Sequence, residues 1–312
     1  MEPNKKELHQ TADRIKNFIH QTPVLSSKSI NKMTGASVFF KCENFQKMGA
    51  FKMRGAANAV NQLSDKEKNK GVTTHSSGNF AQAVALSAQL SNIKANIVMP
   101  ENAPEVKKKA VKGYGANIIE CKSTLQARES TAQKIVEDTG ATFLHPYNCY
   151  NVIAGNATAT MELHEQVSNL DIVFAPIGGG GLISGTALAN HYFSKAITYG
   201  AEPKEADDAY RSFKSGQLVP MVNPNTIADG LRTSLGDKCF PIIQKHVKDI
   251  FTVEEDEIIN ALRITWERMK IIIEPSCAVP LAAVLKNKHL FKNKKIGVII
   301  TGGNVDLKKL PF

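Results

Sequence analysis

Two features of this 312-residue chain can do chemistry: Lys52, in Gly49-Ala-Phe-Lys-Met-Arg-Gly-Ala56, and four consecutive glycines, Gly178, Gly179, Gly180 and Gly181. The lysine offers an amine near a turn, where a helix can begin. The glycines follow an apolar run, Asp171-Ile-Val-Phe-Ala-Pro-Ile177, and precede an amphipathic segment. That pattern reads as a strand, a loop without side chains, and a helix. Such a loop lets several backbone N–H groups approach one phosphate at the positive end of a helix dipole. Four glycines in a linker would be a flexible turn; between a strand and a helix they read as a phosphate cradle.

The glycine run is not GxGxxG, and no GxxxxGK[ST] occurs, so neither a dinucleotide fingerprint nor a P-loop is supported. A phosphate cradle with an isolated reactive lysine suggests a phosphorylated aldehyde cofactor held as a Schiff base. Pyridoxal phosphate is the obvious candidate.

Other polar clusters are less specific. Thr74-His-Ser-Ser-Gly-Asn-Phe-Ala-Gln82 follows an apolar run and leads into a helical pattern. Ser76, Ser77 and Asn79 there can grip a carboxylate or simply cap the helix. Thr301-Gly-Gly-Asn304 ends the last apolar run, where a hydroxyl can meet a ring nitrogen or merely close a strand. Glu202-Pro-Lys-Glu-Ala-Asp-Asp208 offers oxygen ligands for a hard cation, although spacing alone favours a solvated acidic turn. Glu274, in Glu274-Pro-Ser276, can place a buried carboxylate near the site, whereas His75 and His145 read as structural.

Composition narrows the class. Hydrophobic content of 42% and charged content of 22% fit a globular chain with enough core for one large or two modest domains. No apolar run reaches the roughly 18 residues of a membrane helix. The start, Met1-Glu-Pro-Asn-Lys-Lys-Glu-Leu8, lacks the apolar centre of a secretory signal, so a cytoplasmic location without a membrane partner is expected. Five scattered cysteines, never spaced as CxxC, argue for reduced thiols over a disulfide framework or zinc site. The net charge of +10 is spread along the chain, with short clusters only at residues 107–109 and 292–295 and one Trp. Solvated helix faces explain it better than nucleic acid, and the field suits an anionic cofactor and carboxylate substrates.

Positioning these groups requires strands and helices in alternation. Strands are expected over residues 37–42, 71–75, 95–99, 116–120, 171–177, 197–201, 249–253 and 295–301. Helices are expected between most of them, including 81–90, 125–139, 254–269 and 278–285. The fold class is α/β, with open, twisted, mostly parallel sheets covered on both faces. Residues 1–70 and 150–312 are expected to form a large cofactor-binding domain, and 71–149 a small mobile domain carrying the substrate loop. Ligands of such sheets sit beyond the carboxyl ends of the strands, where Lys52, the tetraglycine and Thr301 can converge.

Phe40-Lys-Cys-Glu-Asn-Phe-Gln46, Phe51-Lys-Met-Arg-Gly-Ala56, Ser76-Ser-Gly-Asn79, the tetraglycine, Ile227-Ala-Asp-Gly230 and Gly302-Gly-Asn-Val-Asp306 occur in that order. Together they resemble the fold-type II pyridoxal-phosphate enzymes, whose fold is tryptophan-synthase-beta-like. The likeness is greatest to the serine racemase and short serine/threonine dehydratase group, and runs from about residue 20 to residue 307.

The resemblance implies that Lys52 holds the aldehyde and Gly178–Gly181 the phosphate. Asn79 would contact the ring hydroxyl, and Thr301 would face the ring nitrogen and leave it largely unprotonated. Ser77 takes the position of the second acid/base, opposite Lys52. Ser76, Ser77, Asn79 and Arg128 would hold the substrate. Glu202, the Ala206 carbonyl and Asp208 match a divalent-cation site (Mg or Ca), which reverses the solvated-turn reading. Departures are Phe80 in place of the usual His, Ala50 in place of Ser, Asn156-Ala157 in place of Gln-Gly, and Thr301 in place of the commoner Ser.

The expected activity is dehydration of L-serine or L-threonine to a 2-keto acid and ammonia. The alternative is a racemase of serine, aspartate or 3-hydroxyaspartate with side dehydratase activity; a weakly catalytic cofactor-binding protein is the remote one. The few residues after Asp306 leave no room for the regulatory domain of biosynthetic threonine dehydratases, so isoleucine feedback is not expected. A homodimer and control by metal or a nucleotide activator follow from the resemblance alone.

Overall fold

The computed structural model describes residues 1–103 and 105–312, with all their side chains except those of Val106 and Lys309. From the N-terminus come α1 (Lys5–Ile15), β1 (Val24–Ser26), α2 (Lys28–Thr34), β2 (Ser37–Cys42) and α3 (Lys52–Asn61). Next are α4 (Asp65–Lys70), β3 (Val72–His75), α5 (Asn79–Leu90), β4 (Ala95–Pro100), α6 (Glu105–Gly113), β5 (Asn117–Cys121), α7 (Leu125–Thr139) and β6 (Thr142–Phe143). Then follow α8 (Tyr150–Gln166), β7 (Ile172–Pro176), α9 (Gly181–Phe193), β8 (Ile197–Pro203) and α10 (Asp208–Ser215). The chain continues through α11 (Cys239–His246), β9 (Asp249–Val253), α12 (Glu255–Met269), α13 (Pro275–Lys286) and β10 (Lys295–Ile300).

Six strands form one sheet in the order β1-β2-β10-β7-β8-β9, and four form a second in the order β5-β4-β3-β6. All neighbours are parallel except β1 and β2. The α/β class with two mostly parallel sheets is therefore what the alternation implied. All eight expected strands occur within two residues of their expected ends, and β1 and β6 are additional. Central β7 is buried along its whole length because helices cover both faces. Side chains of α12 and α13 fill one face of the six-stranded sheet, those of α8, α9 and α11 fill the other, and α5 packs on the four-stranded sheet.

Helix ends follow local chemistry. The Thr124 hydroxyl accepts from the Ala127 N–H to start α7, and Gly140 ends it in the left-handed region. Helix α13 carries Pro275 in its first turn, where a missing N–H costs nothing. All five cysteines are free thiols, with Cys42, Cys239 and Cys277 buried. No helix among the described residues is long and apolar enough to cross a membrane.

A buried ionic network holds the start of α3. Arg54 Nε and Nη2 donate to the Glu43 carboxylate at 2.7 and 2.8 Å, and Nη1 and Nη2 donate to Glu162 at 2.7 and 2.8 Å. Lys41 Nζ donates to Glu162 at 2.7 Å, and the Thr22 hydroxyl donates to Glu43 at 2.6 Å. Arg54, Lys41 and Glu43 are all fully buried, so each charge depends on its partners. Helix α8 can approach this turn because a Cβ on Gly155 would lie 2.4 Å from the Arg54 carbonyl oxygen. Replacing Arg54 by Met would leave the fully buried Glu43 without its cation, while Glu162 keeps Lys41, and we expect a loss of about 3–5 kcal/mol in urea unfolding.

Candidate active site

Lys52 is the first residue of α3, and backbone hydrogen bonds stitch its turn to the end of β10. Phe51 N–H donates to the Thr301 carbonyl at 2.9 Å, and Gly303 N–H donates to that of Gly49 at 2.9 Å. Segments far apart in the sequence are thus fixed side by side. Lys52 Nζ donates to the Pro146 carbonyl at 2.8 Å and lies 5.1 and 5.6 Å from the ring centres of Phe51 and Phe80. Burial among these groups pushes its pKa down to about 8, against the opposing pull of Cys239 and Glu274. Phe80, 2% exposed, is therefore a wall against the lysine rather than a gap in the substrate loop.

The tetraglycine joins β7 to α9, whose first turn has no side-chain cap. Those N–H groups remain available to an anion. Gly180 adopts φ +89°, and a Cβ on Gly179 would fall 2.3 Å from the Tyr147 ring. The ring and the loop backbone touch directly, so only glycine fits. Tyr147 and Pro146 belong to a turn shaped by His145, whose Nδ1 accepts from the Asn148 N–H at 3.0 Å. Burial pushes the His145 pKa down to about 4, keeping that acceptor free of a proton. The structural reading of His145 holds, with the addition that its turn carries the lysine's carbonyl partner.

Ser76, Ser77 and Gly78 link β3 to α5, and no side chain caps this helix either. Plain N-capping is thereby excluded. Ser77 and Arg128 line the cavity, and neither side chain has a hydrogen-bond or ion-pair partner among the described residues. Asn79 Nδ2 donates to both oxygens of Glu274, at 3.2 and 3.0 Å, while its Oδ1 accepts from Asn304 at 2.9 Å. Thr301 is 3% exposed, with its hydroxyl 3.1 Å from Cys277 Sγ and 3.5 Å from Glu274 Oε1.

These residues surround one cavity of about 490 Å³, which also contains Lys107, Asp229 and Arg232. At its wall, Lys107 of α6 pairs with Asp229 at 3.1 Å. Lys52, Ser76, Ser77, Asn79, Arg128, Gly178–Gly181 and Thr301 all meet here. Asn156 and Ala157 do not; they are buried within α8. Sequence reasoning missed Pro146, Tyr147 and Asp229 as members of the site, and Asn304 as the residue that holds Asn79 from outside the cavity lining. Asn304 stood within a quoted motif, whereas Pro146 acts through its backbone carbonyl and leaves no residue-type signal.

Glu202 and Asp208 lie outside the cavity and are both fully buried. Glu202 accepts from the N–H groups of Ala209 and Tyr210 at 3.3 and 2.8 Å, and Asp208 Oδ2 from that of Leu235 at 2.7 Å. Asp208 Oδ1 has no partner among the described residues. Burial and the neighbouring Asp208 push the Glu202 carboxyl well above its usual range, and burial raises Asp208 to about 6. Ala206 is buried between them in a short turn. Among the described residues no cluster of three or more His, Cys, Asp or Glu side chains could hold a metal; this pair would need a backbone oxygen as well.

Residues 15–302 match the family model described as pyridoxal-phosphate dependent enzyme. The chain belongs to that family. It is 49% identical to a beta-hydroxyaspartate dehydratase of Paracoccus denitrificans (strain Pd 1222), with 99% of both chains covered. The solved serine racemase of Dictyostelium discoideum superimposes with a TM-score of 0.94 at 48% identity, covering 97% of this chain and 99% of that one. A solved threonine deaminase from T.th. gives 0.93 at 38% identity, covering 98% and 99%. The residues present fit the cofactor: an uncapped helix start, a loop that only glycine can form, and a desolvated amine share one cavity.

Gly179→Ala should weaken pyridoxal phosphate binding by about tenfold or more, since an overpacked contact costs roughly 1–3 kcal/mol. Adding Tyr147→Ala should restore part of the affinity in an equilibrium titration, because it removes the colliding ring.

Proposed function

We propose that this chain is a pyridoxal-phosphate-dependent ammonia-lyase that dehydrates a small β-hydroxy amino acid. L-Serine and L-threonine are the expected substrates, and the dehydratase relative adds 3-hydroxyaspartate. The observation that carries this reading is one cavity with the low-pKa amine of Lys52, the free Ser77 hydroxyl and the unpaired Arg128 guanidinium. The cofactor, when bound, supplies a conjugated ring that accepts the electron pair left at the substrate's Cα. Gly178–Gly181 and the α9 N-terminus bind its phosphate, Asn79 meets its ring hydroxyl, and Thr301 its nitrogen. Ser76, Asn79 and Arg128 orient the substrate carboxylate, Arg128 by a two-pronged contact.

Lys52 Nζ takes the Cα proton, and its pKa of about 8 suits a base that must also give that proton back. The departing β-hydroxyl receives a proton from Lys52 and leaves as water. The released enamine hydrolyses to the 2-keto acid and ammonia. A second reading, racemisation, is favoured by Ser77 and by the serine racemase relative. A hydroxyl that returns a proton to the other face of Cα yields the opposite enantiomer.

Glu202, Asp208 and the Ala206 carbonyl form a site for a divalent cation in this proposal, which balances two buried carboxylates and completes the shell of Asp208 Oδ1. Its effect reaches the cavity through Asp208, Leu235 and Gly236, whose N–H donates to the Gly179 carbonyl at 3.2 Å. Residues 71–149 act as the small mobile domain that closes the substrate loop. A cytoplasmic homodimer responsive to a nucleotide completes the reading.

Lys52→Ala should abolish keto-acid release from L-serine in a coupled assay; retained turnover would refute the role of Lys52. Ser77→Ala should lower D-serine formation by about 100-fold, measured by chiral chromatography, with cofactor absorbance retained. Chelation of divalent cations should lower the thermal midpoint, because the cation binds only the folded loop. An unchanged midpoint would return Glu202 and Asp208 to a metal-free role.

A further inference from the structure

Glu274 is a buried carboxylate of the cavity wall to which the roles above give no task. It occupies the N-cap position of α13, yet its side chain does not cap that helix. Instead it accepts from Asn79 Nδ2 through both oxygens, and Oε1 lies 3.5 Å from the Thr301 hydroxyl. Its backbone N–H donates to the Gly302 carbonyl at 3.0 Å, which fixes it beside the end of β10. The Cys277 thiol, 3.1 Å from the Thr301 hydroxyl, donates to the Gly302 carbonyl at 2.9 Å. With that proton committed, the sulfur can only accept from Thr301 whatever the pH, and Glu274 is the neighbour whose protonation changes how Thr301 donates.

We propose that Glu274 is a positioning residue that sets the direction of the Thr301 hydroxyl: protonated, it donates to Thr301 and turns that hydroxyl's hydrogen into the cavity; ionised, it draws that hydrogen to itself. This inference rests on Thr301 facing the cofactor's ring nitrogen. An unprotonated ring nitrogen is an acceptor, and only the first arrangement offers it a donor. The proton comes from solvent and returns to it.

The surroundings bring this titration into the working range. Burial, with Asp229 adding to it, pushes the carboxyl up to about 7, while the Asn79 contact and Lys107 oppose the rise. Lys52 of α3 and Cys277 of α13 are the other titratable groups facing it. Folding thus favours the protonated carboxyl, and its stabilising contribution fades as pH rises from the ordinary carboxylate range through about 7.

The test compares wild type with Glu274→Gln, whose amide keeps accepting from Asn79 and donates to Thr301 at every pH. Pyridoxal phosphate affinity is titrated by absorbance, and the thermal midpoint of cofactor-free protein is followed over the same pH range. Taking the ratio of the two proteins cancels the titration of the phosphate, and the Thr301→Val background separates the hydroxyl's effect from the pull of Glu274 on Lys52. The wild-type dissociation constant should rise about tenfold relative to Glu274→Gln between about pH 6 and pH 8, and the wild-type midpoint should fall more steeply. In a Thr301→Val background the affinity difference should vanish. Parallel affinity profiles for wild type and Glu274→Gln would overturn the proposal, as would a difference that survives Thr301→Val. Absence of cofactor binding at every pH would instead refute the functional reading. In that case a wild-type midpoint that does not fall more steeply than that of Glu274→Gln overturns the proton-holding role by itself.

Discussion

An amine held out of water at the first turn of α3 is the constraint on which the rest of this structure depends. Lys52 sits between two aromatic rings with a backbone carbonyl as its close partner, so its charged form is disfavoured. A flexible four-carbon side chain would escape to solvent unless its helix were fixed. The fixing is done behind it. Arg54, two residues along and so on the opposite side of the helix, is clamped by Glu43 and Glu162. The backbone on the lysine's own side is bonded to the end of β10.

The same logic of close approach shapes the glycine loop. Gly179 is packed on Tyr147, and Tyr147 follows the carbonyl that holds Lys52. One turn, 145–148, therefore sets both the amine and the glycine loop, and a neutral His145 shapes it. The paired carboxylates Glu202 and Asp208 reach the same loop from behind through Leu235 and Gly236. A short series of backbone contacts thus joins the buried carboxylates to the glycine loop.

Much of this was legible in residue types. Continuous apolar runs such as Ile172–Pro176 announce strands buried on both faces, and all eight expected strands are present. The two missed strands, β1 and β6, have three and two residues, too short for any periodicity. Helix α8 is buried on nearly every side, so it lacks the polar stripe that marks an amphipathic helix. In the site, Lys52, the glycines, the Ser76–Asn79 loop and Thr301 carry signals in their chemistry, and they share one cavity. Pro146 does not, because it contributes only a carbonyl oxygen. Phe80 reads in the sequence as a missing polar group, and only its 5.6 Å distance from Lys52 gives it a purpose.

The most direct test of the central claim is to treat the cofactor-loaded protein with borohydride and locate the pyridoxyl group by peptide mass spectrometry. The expected result is a single modified residue, Lys52, in the peptide containing Phe51 and Met53. Modification of another lysine, or none in protein that carries the cofactor, would contradict the assignment of this amine and the mechanism built on it.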